Sequence, residues 1–422
     1  MLILGDTVNS ILRIEDFADD FDPFTAFMTT GGEGDITDPH PVLAKLRKAA
    51  TVQEADLNDP FDVPRHATYA GYRSFLVLGF EECATALFES ESFSNKAYEA
   101  TVLPTFGKSM TIMDAPEHAK YRRLFQAGFT PKMLNGLKPR FEAVVDRLID
   151  RLAGGQRANL VQDFVVHFPF QFICDLMDLP IEDRPIFHKI AHAQTCITFD
   201  HFHGTEASRI LGTYLSALIA ARRALKSDTD FVSVIANART EDGAVLPDDV
   251  ILGFFRQLMN AGGDTSYHGF SNILTALFSH PEQLEAVRQD RALIPATIEE
   301  GLRWYGPFTA LDRLATRDVA LGGTTIPAGA LVRVCVAAAN RDDTRWADPD
   351  KFDIYRPLQR NLAFGSGPHI CVGQHLARME LQIALNRLLD RLPNLRLDEE
   401  IPPPLIRGLT FRGASAVHVR WD

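Results

Sequence analysis

The sequence predicts a mainly α fold with a smaller β region, built as one large domain. Apolar residues recur at helical spacing through most of residues 139–280. Strand-like alternation is confined to short stretches at 75–79, 307–336 and 405–421. No Pro-, Gly- or Ser-rich tract, low-complexity segment or internal repeat marks a linker. At 422 residues the chain exceeds the usual single-core size. Without a linker, the expectation is a single domain over residues 41–422, preceded by an acidic, Phe-rich arm over residues 1–40.

Composition bounds the function. The formal charge of −12 argues against general nucleic-acid binding. Five cysteines, Cys83, Cys174, Cys196, Cys335 and Cys371, are odd in number, widely spaced and mostly in apolar context. That pattern suits a reducing cytosol and not a disulfide framework. The first residues turn acidic within six positions, with neither a basic leader nor a long apolar run. A cytoplasmic protein without signal peptide or membrane anchor is expected.

Residues 41–50 read as a first short helix, 75–79 as a strand and 80–89 as a helix with acid in its first turn. Residues 92–110 break into Ser, Asn, Gly and Pro around scattered apolar residues and read as a loop. Asp114, ahead of Pro116 and Glu117, makes a helix start: a capping carboxylate, an early proline, then acid in the first turn. His118 and Arg122, four apart, share a face of that helix. Helices follow at 141–153, 160–177, 183–195, 206–225 and 230–238, punctuated by Pro180, Pro185 and Gly204. His201 and His203 fall in the expected turn at 195–204; lacking a third ligand nearby, they read as solvated side chains and not as a metal site.

The longest helical run is 248–280, which at 1.5 Å per residue spans roughly 45–50 Å. Inside it, Ala261, Gly262, Gly263, Asp264 and Thr265 break the pattern. Two interior glycines cost about 1 kcal/mol each relative to alanine. Small residues let a flat ring approach the backbone, although packing alone would also account for the glycines. It would not account for Asp264, because carboxylates are rarely buried unpaired. Further on, Glu300 and Arg303 stand three apart on a helix, a spacing common in structural ion pairs. The strands of 307–336 carry a turn at 327–329, and the tail is expected to turn at Gly413.

The most specific stretch is Phe364-Gly-Ser-Gly-Pro-His-Ile-Cys-Val-Gly373. Three glycines and a proline force a loop. Helical spacing resumes behind it at Leu376, Met379, Leu381, Ala384, Leu385 and Leu388. A thiol at a helix N-terminus faces unpaired N–H groups and the positive end of the macrodipole, which favour the thiolate. Cysteine and glycines alone are better explained as a small buried residue in a turn. A thiolate beneath a flat cofactor is, however, what a haem iron with a cysteine axial ligand requires.

The full string resembles the haem-binding signature of the cytochrome P450 family, Phe-Gly-x-Gly-x-His-x-Cys-x-Gly, at every fixed position. Ala261–Thr265 resembles that family's oxygen-activation motif, and Glu300 with Arg303 its Glu-x-x-Arg, a structural pair that Arg356 is expected to complete. Over residues from about 40 onward, the resemblance implies a single triangular domain around a buried haem b (iron protoporphyrin IX). It implies Cys371 as the iron ligand, with His118, Arg122, Arg313 and His369 neutralising the propionates. Ala261, Gly262, Thr265, Phe364, Gly365 and Gly373 would also meet the haem. Asp264 and Thr265 would deliver protons to dioxygen, of which one atom enters an organic substrate and the other leaves as water. Electrons would come from NAD(P)H through a reductase and a ferredoxin. Leu258, Gly262, Phe308, Leu311, Thr410 and Phe411, with 92–110 and 195–199, would wall an apolar pocket for a small to medium hydrophobic substrate, with no cation placed to pair a carboxylate. Within the family the alternative is a peroxygenase, which replaces the acid–alcohol pair; outside it, a non-catalytic haem-binding sensor or sequestering protein.

Overall fold

The computed structural model describes residues 12–26, 36–198, 200–241 and 243–422. The chain forms two compact units: Met1–Gly32, Tyr98–Arg140 and Phe170–Gly263 in the first; Glu33–Ala97, Phe141–Pro169 and Asp264–Asp422 in the second.

Among its described residues the first unit is helical without a strand. The helix His201–Leu225 begins where Asp200 accepts the His203 backbone N–H at 3.0 Å and ends at Lys226 in the left-handed region, φ 50°. Ala207, Leu211, Leu215 and Leu218 bury one face of it, the spacing of an amphipathic helix. Each such leucine withdrawn from water stabilises the unit by roughly 1.5–3 kcal/mol. Aromatic contacts fill the same core. Phe125 stacks on Phe254 at 3.9 Å, and a Cβ on Gly128 would lie 2.3 Å from the Phe231 ring.

The arm packs on two helices of this unit, Arg184–Thr195 and His201–Leu225. Arg13 pairs with Asp183 just ahead of the first helix, Asp16 pairs with Lys189, and Glu15 pairs with Arg209. Phe21 stacks on His203 at 3.7 Å and Phe24 on His192 at 4.6 Å. The exposed pairs contribute little, whereas Asp183 is fully buried, so Arg13 and the two rings carry the adhesion.

All the sheets lie in the second unit. The largest has the order Val52–Glu54, Ser74–Val77, Leu331–Val334, Leu311–Ala315, Phe93–Ser94. Only the Ser74–Val77 and Leu331–Val334 pair is parallel, and both strands are buried throughout, as expected for a sheet covered on two faces. Phe75, Val77, Phe80, Phe93, Val332, Val334 and Trp346 form one core cluster against it. Three smaller sheets pair Val319–Leu321 with Thr324–Ile326, Ile406–Arg407 with Gly413–Ala414, and His418–Arg420 with both Arg157–Asn159 and Arg396–Leu397.

Several local expectations change. Residues 92–110 are not a plain loop: Phe93–Ser94 is an edge strand and Glu99–Phe106 a helix that closes at Gly107, φ 83°. The helix expected at 141–153 starts ten residues earlier, as Pro131–Leu152, with Pro139 inside it. Pro116, not Asp114, occupies the capping position of Glu117–Gln126, and the Asp114 carbonyl accepts the His118 N–H at 2.9 Å. His201 and His203 belong to a first helical turn and not to a loop. Gly413 sits in a strand, while the turn falls at Gly408, φ 97°. The longest helix, Asp248–Phe278, is 31 residues, and the chain passes from the first unit to the second within it, after Gly263.

Candidate active site

The loop around Cys371 is built by backbone geometry that glycine permits. Gly365 and Gly367 have φ of 71° and 70°, the left-handed region that side chains disfavour. A Cβ on Gly367 would stand 2.6 Å from the Leu87 carbonyl oxygen, so the loop also lies too close to its neighbour for anything larger. The Cys371 N–H donates to the Phe364 carbonyl at 2.9 Å, closing the loop. Gly373 caps the helix Gln374–Arg391, placing the thiol just before its first turn. Of the five cysteines, Cys371 alone is exposed. The Arg378 guanidinium lies 4.4 Å over the Phe364 ring and pairs with Glu299, which fixes the orientation of that ring.

Other residues of the second unit flank this loop. Leu311 is 3.7 Å from where a Gly365 Cβ would stand, which brings one expected pocket residue against the cysteine loop. Phe308 and Phe411 form an isolated antiparallel bridge with ring centroids 4.6 Å apart, and the Thr309 N–H donates to the Thr410 carbonyl at 3.1 Å. Arg313 is buried on the strand Leu311–Ala315, and its guanidinium donates to the Asp312 carbonyl at 2.8 Å. Burial pushes the Asp312 carboxyl up, against the opposing pull of Arg333 and Arg313. His369 is half-buried at the turn before Cys371.

Asp264 and Thr265 open the second unit's part of the long helix, both half-buried. Next to them Ser266 donates to the Glu380 carboxyl, and the His268 ring Nδ1 lies 2.7 Å from the Asp264 carbonyl oxygen. Burial drives the Glu380 carboxyl well above the ordinary carboxylate range, although the Ser266 hydrogen bond lowers it. The Tyr267 hydroxyl is pushed up to about 12 by burial and by Asp264. Glu380, Ser266 and His268 were not among the expected site residues. Glu380 carries a signal in hindsight, standing four residues from Leu376 and from Ala384 on the buried stripe of its helix.

The first unit holds the remaining expected residues. His118 and Arg122 are both buried on one face of Glu117–Gln126. Burial, then the neighbouring Arg122, pushes the His118 imidazole down to about 4, so it is neutral at pH 7. Ala261 is exposed in the middle of a helix whose neighbours Met259 and Asn260 are buried, which leaves backbone accessible there. Gly262 is explained by packing: its Cβ would stand 2.4 Å from Ile173 Cδ1. Leu258 is buried on the same helix. Of the expected pocket segment 195–199, Phe199 lies outside the described residues. His203 is held by carboxylates on both ring nitrogens, Asp200 at 2.6 Å and Asp19 at 3.1 Å, and no metal-ligand cluster occurs among the described residues.

Comparison with known proteins gives this arrangement its context. The family model for Cytochrome P450 matches residues 200–408. The chain is 34% identical over 404 residues to the cytochrome P450 monooxygenase PikC of Streptomyces venezuelae, covering 92% of each protein. This chain is a member of the cytochrome P450 family. It is 33% identical over 380 residues to the vitamin D3 dihydroxylase of Streptomyces griseolus, covering 87% of this chain and 93% of that one. Among solved structures, this P450 superposes on CYP109E1 from Bacillus megaterium in complex with testosterone with a TM-score of 0.81 at 27% identity, covering 91% of this chain and 99% of that one. For CYP109Q5 from Chondromyces apiculatus the TM-score is 0.80 at 29% identity, covering 92% and 96%. The fold is mainly helical with a smaller sheet part, and the protein is a haem-thiolate P450 monooxygenase, an oxidoreductase. The donor set suits that cofactor: one exposed thiol at a helix start, with four other cysteines sealed in the core. No helix among the described residues is long and apolar enough to cross a membrane.

Proposed function

We propose that this P450 hydroxylates an uncharged, lipophilic small to medium molecule, using haem b ligated by Cys371 and electrons passed from NAD(P)H through a reductase and a ferredoxin in the cytoplasm. Residues 41–422 act as one catalytic domain, with residues 1–40 as its arm. The observation that carries the reading is Cys371 itself, the single exposed cysteine, set where the helix Gln374–Arg391 begins. The bound haem would supply reduction and cleavage of dioxygen. Each remaining step falls to side chains of this chain.

The N–H groups of the first helical turn would favour the Cys371 sulfur as thiolate. Arg122 and Arg313, both cationic and buried, would neutralise the propionates, with His118 and His369 as hydrogen-bonding partners. His118 enters as a neutral imidazole able to donate from one ring nitrogen. Thr265 Oγ would hold a water by hydrogen bonding, and the Asp264 carboxyl would pass protons to that water from solvent. Phe364, Gly365 and Gly373, with Ala261 and Gly262, would lie against the ring. Phe308, Leu311, Thr410 and Phe411 would wall the substrate pocket and select substrates by area and shape, and Leu258 is assigned to it by resemblance to the family. Substrates named for relatives point to steroid-like lipids: vitamin D3 for two curated relatives, testosterone for one solved complex.

The carbon-monoxide complex of the reduced protein tests the ligand assignment. Wild type should show the strongly red-shifted band of thiolate ligation, and Cys371→Ala should lose it. A variant that keeps the band refutes the assignment. For the substrate class, a panel in which only carboxylates or other anions shifted the haem absorption would overturn the apolar reading.

A further inference from the structure

His268 lies outside the haem signature and outside the acid–alcohol pair, yet its ring meets the carbonyl of the peptide that joins the two members of that pair. Its Nδ1 is 2.7 Å from the Asp264 carbonyl oxygen. A carbonyl only accepts, so Nδ1 carries the proton. That carbonyl belongs to the peptide plane joining Asp264 to Thr265, and the plane's six atoms include both Cα atoms. The helix ladder already offers this oxygen to the N–H four residues on. A second donor from a side chain tilts the carbonyl and bends the helix locally. The imidazole therefore sets the plane from which the acid and the alcohol both project.

The ring is in turn fixed by the C-terminal hairpin Ile406–Ala414. A Cβ on Gly413 would lie 2.4 Å from His268 Cδ2 and 3.1 Å from Cγ, so the strand carries glycine where the ring passes. One turn along, Ser271 Oγ donates to the His268 carbonyl at 2.8 Å and accepts the Ala414 N–H at 3.1 Å. The same hairpin carries Phe411, whose ring is 6.0 Å from His268 and 4.6 Å from Phe308. The bond type alone is unremarkable, since His280 makes it to the Ala276 carbonyl at 2.7 Å near the end of the same helix. What distinguishes His268 is the carbonyl it holds and the hairpin that holds it.

We propose that His268 is a positioning residue for proton delivery: its ring N–H on the Asp264 carbonyl, braced by the hairpin at Gly413, sets the Asp264–Thr265 pair and links it to the Phe411 wall. The inference rests on the role given above to that pair. In the coupled reaction two electrons, two protons and dioxygen convert substrate C–H to C–OH and water. When protons reach the wrong oxygen, the same two electrons from NAD(P)H leave as hydrogen peroxide.

The test uses holoenzyme with ferredoxin and reductase and four variants: His268→Phe, which keeps a ring without the donor; His268→Asn, whose amide can reach an i−4 carbonyl as Asn237 reaches Ser233 at 2.9 Å; His280→Phe; and Thr265→Ala. The probe is whichever of testosterone and vitamin D3 shifts the haem absorption more. Two quantities are read: the 15N amide signal of Thr265 in the reduced carbon-monoxide complex, which reports hydrogen bonding at the Asp264 carbonyl, and peroxide released per NAD(P)H. His268→Phe should move the Thr265 signal and raise the peroxide fraction about threefold or more. His268→Asn should reverse both changes, and His280→Phe should alter neither. An unmoved Thr265 signal, or an unchanged peroxide fraction in His268→Phe while Thr265→Ala raises it, overturns this inference alone. If Thr265→Ala also leaves the fraction unchanged, the proton-delivery reading of the pair falls with it.

Discussion

Replacing Glu380 by glutamine should change how stability depends on pH. Glu380 is 2% exposed, accepts a hydrogen bond from Ser266 through one oxygen, and makes none through the other among the described residues. Its carboxyl is held well above the ordinary range, chiefly by burial. In the unfolded chain it ionises at about 4.3. Between that value and its raised native value the folded protein binds one more proton than the unfolded one. Stability therefore falls as pH rises through this window, by about 1.4 kcal/mol per pH unit for one proton. Glutamine cannot ionise and removes that slope. It also buries an amide with fewer partners than donors, an offset of about 1–3 kcal/mol that does not vary with pH. The measurement is urea unfolding of wild type and Glu380→Gln holoenzyme at half-unit steps from pH 5 to pH 8. The stability difference should drift in favour of the variant by about 1.4 kcal/mol per unit above the unfolded value and level off at the native one. Parallel curves would show that Glu380 is ionised in the native protein and would refute the reasoning.

Three further outcomes follow from described contacts. Arg303→Ala should cost about 3–5 kcal/mol in urea unfolding, because it breaks a buried pair; Arg303 meets Glu300 at 2.7 and 2.8 Å and also donates to the Asn340 and Pro349 carbonyls, while Arg356 reaches the same carboxylate at 3.2 Å. Gly413→Ala should destabilise by about 1–3 kcal/mol, since its Cβ overlaps the His268 ring, and His268→Ala in the same chain should recover part of that loss. Burial pulls the His203 imidazole down, but the carboxylates of Asp200 and Asp19 outweigh it and raise it above its ordinary value. Its hold on the arm is then complete below the unfolded value near 6.5 and is lost as pH rises through the folded one. Tryptic cleavage after Arg13 should accelerate over that interval in wild type relative to His203→Gln, and equal pH profiles would count against the latch.

Local backbone chemistry was legible in the sequence; contacts made across long stretches of chain were not. The forced loop before Cys371 could be read because glycine and proline constrain φ wherever they stand, and Gly365 and Gly367 do adopt left-handed backbone. The long helix could be read because its apolar period persists through Phe278. The helix Glu99–Phe106 escaped because Pro104 and Thr105 obscure an apolar face that only tertiary packing of Val102 completes. Gly262 reads in sequence as room for a flat ring; in three dimensions it also makes room for Ile173, a contact no local pattern announces. His268 and Glu380 gain meaning only from partners, Gly413 and Ser266, that lie more than a hundred residues away. The arm's docking rests on Phe21 and Phe24 finding His203 and His192, pairs with no local signature.

The distribution of thiols has a chemical consequence for handling the protein. Cys83, Cys174, Cys196 and Cys335 are sealed in the core, and burial pushes the Cys335 thiol up to about 12 and Cys83 and Cys174 upward as well. An alkylating reagent at neutral pH therefore meets one exposed thiol, that of Cys371, and under the proposed ligation its protection counts the molecules that hold haem. Under the ligation proposed above, the helix-start field that favours the Cys371 thiolate also favours its attack on peroxide. Once oxidised to sulfinic acid, it has no common route back. A chain that sheds its haem in air thus loses the ability to take it up again, so cofactor loss should become a one-way event under oxidising conditions and a reversible one under thiol reductant.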